Sequence, residues 1–130
     1  MKAQFLERQA SLPAENGGHG SPPHKVLEQL CSHASEDVMQ EACGFIYETF
    51  YIPLPNVSET PNRFFADPRA LARTLAQYGE PEMVFHTHPN GNLDLSLEDR
   101  RLWYYTNSTM MIGCMFEGHL RWKIYGKRGD

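Results

Sequence analysis

Two histidines one residue apart, His86 and His88, carry the strongest chemical signal in this chain of 130 residues. Met83 to His88 reads as a strand, because Pro81 and the Pro89-Asn90-Gly91-Asn92 cluster bound a run holding Val84, Phe85 and Thr87. Side chains two apart in a strand share a face, with Cα atoms roughly 6.5–7 Å apart, so these imidazoles can share one metal ion. Zinc bound by nitrogen wants a third protein ligand and, in a catalytic site, a further position for water. Asp99 supplies it from the first turn of a helix opened by Ser96, with enough chain after His88 to turn back. A water activated by a metal still needs a protein base to deliver its proton to a leaving amine. Glu41, just before the strand that starts at Cys43, is the candidate base if one sheet edge carries both strands.

The elements that must position these groups follow from spacing. Val26, Leu27, Leu30, Cys31 and Ala34 recur at helical intervals after Pro22 and Pro23, which predicts an amphipathic helix opened by a serine cap, Ser21, and proline. Cys43 to Tyr47 and Phe50 to Leu54 predict a tightly joined strand pair around Glu48 and Thr49. Asp67 and Pro68 open a second helix in which Leu71, Leu75 and Tyr78 share a face and which stops at Gly79. The Ser96 helix should run to about Tyr105, and Met110 to Phe116 and Leu120 to Tyr125 make a last strand pair around Glu117 and Gly118. Strands and helices interspersed around one mixed sheet make an α+β fold.

Composition narrows the function. Twelve basic against 16 acidic residues leave a net charge of −4, the wrong sign for a surface that displaces counterions from phosphates, so no nucleic-acid partner is expected. The longest apolar run, Met110 to Phe116, is far short of the ~20 residues that cross a bilayer, and Met1 to Ala10 has no signal-peptide core. Cys31, Cys43 and Cys114 form no CxxC pair and suit reduced thiols, so a cytoplasmic protein without membrane contact is expected. Residues 1–21, rich in Gly and Pro, read as a flexible lead-in, 22–126 as one domain and 127–130 as a frayed tail.

Taken together, Glu41-Ala42-Cys43-Gly44, His86-Thr87-His88-Pro89, Ser96 and Asp99 strongly resemble the JAMM motif of the JAB1/MPN metalloprotease family. The pattern His-x-His-x7-Ser-x2-Asp arises by chance roughly once in two thousand chains of this composition, so the match is specific. The resemblance implies an α/β sandwich of the MPN/JAB1 type, cytidine-deaminase-like, with one zinc per chain held by His86, His88 and Asp99. It further implies hydrolysis of a peptide or isopeptide bond by a zinc-activated water, with Glu41 as general acid/base and Ser96 steadying the oxyanion. Thr87 stands where a serine is common and Leu95 where a proline is common, and neither is itself a ligand. With 31 residues after Asp99 there is little space for the later insertion that clamps ubiquitin in eukaryotic members. The chain looks more like compact prokaryotic members, whose substrates are ubiquitin-like or sulfur-carrier proteins. The run from Asn56 to Pro68 is also similar to the MPN domain of phage tail assembly proteins.

Competing readings have distinct signatures. A zinc deaminase needs His-x-Glu and Pro-Cys-x-x-Cys ligands, which are missing. A non-catalytic MPN scaffold usually lacks one or more ligands, whereas this chain keeps all five polar positions. Cys43 reads as a buried structural thiol, not a nucleophile. His19, His24, His33 and His119 read as solvent-exposed, and Trp103, Tyr104, Tyr105, Trp122 and Tyr125 as core and rim.

Overall fold

Apolar residues at helical spacing build α1 (His24–Glu36), whose Val26, Leu27, Leu30 and Ala34 are buried along one face. The computed structural model describes residues 21–58, 66–100 and 108–126. The start of α1 departs from the sequence expectation, since no serine caps it. Pro23, with φ −58°, occupies the cap position and its carbonyl accepts the Leu27 N–H at 3.0 Å, while no side chain bonds the helix end. The rigid proline sets the entry angle that a Ser21 cap was expected to set.

The strands are β1 (Cys43–Ile46), β2 (Tyr51–Leu54), β3 (Met83–Thr87), β4 (Met110–Phe116) and β5 (His119–Tyr125). They form one mixed sheet in the order β2-β1-β3-β4-β5, in which only the β3–β4 pair is parallel. The β1–β2 and β4–β5 pairs are the two expected hairpins, the second turning at Glu117 and Gly118, both at positive φ. The parallel pair needs a crossover, and residues 97–100 begin a helix within it; the expected end of that helix near Tyr105 lies outside the described residues. The proposed lead-in, the C-terminal tail, His19 and the aromatics at 103–105 also lie outside them.

Each face of the sheet has its own core. Against α1 lie Tyr51, Phe85, Leu120 and Trp122, all buried. On the opposite face, Cys43, Phe45 and Leu54 pack with Leu71 and Leu75 of α2 (Pro68–Tyr78). That helix has the expected ends: the Asp67 carboxylate accepts the Ala70 N–H at 3.3 Å, and Gly79 closes it at φ 76°. Burying each large aliphatic side chain stabilises the fold by roughly 1.5–3 kcal/mol, so the two faces together hold the strand ends in register.

Gly44 lies opposite Phe85 in the β1–β3 ladder, and the Tyr51 ring crosses the space where a Cβ would stand. Tyr51 and Phe85 meet edge to face there, with centroids 5.7 Å apart. The tyrosine is anchored at both ends, its hydroxyl 2.6 Å from His33 Nδ1 and its N–H on Gln29 Oε1 at 3.1 Å. Gly44→Ala should therefore destabilise the fold by about 1–3 kcal/mol through overpacking. Urea unfolding checks this, and an unchanged midpoint would show that the tyrosine ring has somewhere else to go.

Candidate metal centre

The antiparallel register between β1 and β3 brings distant residues together. Cys43 faces His86, so continuing the ladder outward sets Ala42 beside Thr87 and Glu41 beside His88. The ladder does continue, because the Thr87 N–H donates to the Ala42 carbonyl at 2.9 Å. His88, read from sequence as the last strand residue, stands one position past β3 but stays tied to β4, donating its N–H to Gly113 O at 2.8 Å. The start of β1 and the end of β3 thus share one edge, the carboxyl end of the parallel pair, where ligand sites form in sheets of this kind.

Asp99 arrives on the helix that begins at residue 97. Its N–H donates to Ser96 Oγ at 3.0 Å, and its Oδ2 accepts the Ser96 N–H at 2.9 Å, a reciprocal capping box. The same carboxylate reaches both histidines, Oδ1 lying 2.8 Å from His86 Nε2 and Oδ2 2.9 Å from His88 Nε2. One aspartate therefore caps the helix and joins the two imidazoles. The Glu41 carboxylate completes the group: one ligand atom each from Glu41, His86 and His88 lie within 4.8 Å of one another. All four side chains are buried, Glu41 at 6% exposure and Asp99 at 4%.

Burial and charge set the protonation states. Burial drives His86 down towards the neutral form, against the pull of Asp99. For His88 burial pulls the same way, but the Asp99 carboxylate and the Asn92 carbonyl outweigh it and hold the imidazole above its usual range. Burial alone would raise Asp99; its bonds to the two histidines reverse this and hold it well below the usual carboxylate range. Burial pushes Glu41 up to about 7, with the charges of Asp99 and Glu98 adding and that of His88 opposing. Cys43 is a buried thiol pushed up to about 12 by burial and by Glu41, which removes it as a nucleophile.

The donor set fits a divalent ion. Asn92 O can only accept, so the 2.7 Å contact fixes the proton of His88 on Nδ1 and presents Nε2 to a ligand. Imidazole nitrogens and a carboxylate are donor types that zinc takes, so His86, His88 and Asp99 would be the side chains to hold such an ion. Two clefts reach the centre. One of about 130 Å³ is walled by Glu41, His88, Ser96 and Glu98. The other, of about 590 Å³, is lined by Phe45, Leu71, Leu75 and Val84 together with Asp99.

The structure thus gathers Glu41, His86, His88 and Asp99 at one point, with exposed Ser96 on the rim. Sequence reasoning missed Asn92 and Thr87. Asn92 acts through a backbone carbonyl, which no residue type announces, although the Pro89-Asn90-Gly91-Asn92 turn marks the chain reversal that delivers it. His33 and His119 correct another expectation: both are half-buried rather than solvent-exposed, His33 because Tyr51 draws its ring in beside β2.

The five-stranded mixed sheet flanked by helices is an α+β fold consistent with a JAB-like domain. The family model of prokaryotic homologs of the JAB domain matches residues 23–125, and the chain belongs to that family. The solution structure of a protein from Desulfitobacterium hafniense is similar in fold, with a TM-score of 0.61 and 24% identity over 77% of this chain and 78% of that one. No curated protein matches the sequence. Among the described residues, no helix is long and apolar enough to cross a membrane.

The raised Glu41 carboxyl implies a signed pH dependence in protein stripped of metal by a chelator. Its contribution to stability is fully present below 4.5, where both states hold the proton, and is lost as pH rises to about 7. Glu41→Gln lacks that loss, so the variant should gain on the wild type by up to about 3 kcal/mol across this window and no further above it. Parallel stability curves for the two proteins, measured by urea unfolding against pH, would contradict the assigned shift.

Proposed function

We propose that this chain is a zinc-dependent peptidase or isopeptidase, cleaving a peptide or isopeptide bond at the C-terminus of a ubiquitin-like or sulfur-carrier protein. The observation that carries the reading is the convergence of both Nε2 atoms on Asp99 with the Glu41 carboxylate alongside. A scaffold that only held partners would have no need of four buried, mutually aimed ionisable groups. His86, His88 and Asp99 hold the ion, and one zinc per chain is the cofactor.

Zinc supplies Lewis-acid chemistry there, polarising a carbonyl and lowering the pKa of water. Glu41 takes the proton of the attacking water and passes it to the leaving amine, a task suited to a buried carboxylate that stands beside the two imidazoles. Ser96 Oγ accepts the Asp99 N–H, which leaves its own hydrogen to donate to the oxyanion as negative charge builds. The apolar cleft that Asp99 helps to line suits an extended chain terminus laid against the sheet. Cys31, Cys43 and Cys114 are all free thiols, in keeping with action in the cytoplasm.

Protein purified without chelator should carry about one zinc per chain by elemental analysis. Glu41→Gln should keep the zinc and lose hydrolysis by roughly 100- to 10,000-fold, whereas His86→Ala should lose both. Incubating Glu41→Gln protein with cell extract and identifying the retained protein names the substrate. Zinc near zero in the wild type, or full activity in Glu41→Gln, would refute the mechanism.

A further inference from the structure

The peptide unit that joins Glu41 to Ala42 is held at both of its polar ends by side chains. Its carbonyl, that of Glu41, accepts Asn56 Nδ2 at 2.7 Å, and its N–H, that of Ala42, donates to Thr87 Oγ1 at 2.8 Å. In a regular antiparallel pair the return bond from Ala42 would go to the backbone carbonyl of Thr87; the hydroxyl takes that place. Thr87 is buried at 5% exposure and, by strand alternation, points to the face opposite the two histidines that flank it. It cannot reach the metal centre directly. Asn56 is oriented too, since its Oδ1 accepts the Ser58 N–H at 2.9 Å and so turns Nδ2 towards Glu41.

Two fixed contacts on one planar group leave its orientation no freedom, and the Glu41 Cα–Cβ direction is set with it. No hydrogen bond among the described residues is seen on the Glu41 carboxylate itself, so its direction rests on the Cα–Cβ bond that the backbone sets and on the packing that buries the side chain. We propose that Thr87 and Asn56 are positioning residues that clamp the Glu41–Ala42 peptide and so aim the Glu41 carboxylate at His86 and His88. In the proposed reaction, on which the catalytic part of this inference rests, the clamp governs how well Glu41 meets the attacking water, not how tightly the ion or substrate binds.

Thr87→Val keeps the shape and removes the acceptor, whereas Thr87→Ser restores it; Asn56→Asp removes the donor at a less buried position and serves should Thr87→Val fail to fold. In the full chain, Thr87→Val should bind about one zinc yet exchange the Ala42 N–H about tenfold faster by NMR, and shift the carboxyl carbon resonance of Glu41, identified by its loss in Glu41→Gln. Thr87→Ser should restore both signals. On the substrate trapped by Glu41→Gln, kcat should fall about tenfold or more with KM within about twofold, again rescued by serine. Wild-type amide exchange and carboxyl resonance in both Thr87→Val and Asn56→Asp would overturn the clamp whatever the activity. Wild-type protein that binds no zinc or hydrolyses nothing would instead overturn the peptidase reading, and the two NMR signals would still decide the clamp.

Discussion

One register, Cys43 against His86, decides whether this molecule has a site at all. Moving β1 by a single residue would turn the Glu41 side chain to the α1 face and pair His88 with Ala42 instead. The register is held by the two cores on either side of the sheet, and the aromatic contacts over Gly44 make it hard to slip: a side chain brought into that position would collide with the Tyr51 ring. Packing on the side away from the chemistry is therefore what places the chemistry.

The two histidines show how position alone divides the work of identical residues. His86 sits inside the ladder between Cys43 and Ile112, where burial favours the neutral ring. His88, one step beyond the strand, meets a backbone carbonyl on one nitrogen and a carboxylate on the other, and both contacts favour the charged ring. The proton inventory of the centre is thus set by where β3 ends.

Much of this was legible in the sequence. Proline and glycine clusters bounded the strands, Asp67 and Gly79 bounded α2, and the spacing from His86 to Asp99 named the side chains that converge. The order of the strands was not legible, because hydrophobic alternation says which face is buried but not which neighbour pairs. The start of α1 was misread because a serine near two prolines resembles a cap, while the proline itself was sufficient. His33 was misread because its partner, Tyr51, comes from a strand that folds back beside the helix. Thr87 passed as an incidental residue between two ligands, since its contact is with a backbone amide brought near only by the sheet.

The double engagement of Asp99 ties local and global order together. The first turn of a helix is ordinarily where unwinding begins, as its amides lack partners within the helix. Here the residue that satisfies one of those amides is also fastened to the end of a strand through two imidazoles. Fraying of that turn and dissolution of the centre are consequently a single event. A change in how that carboxylate is held therefore bears directly on the helical turn begun at residues 97–100.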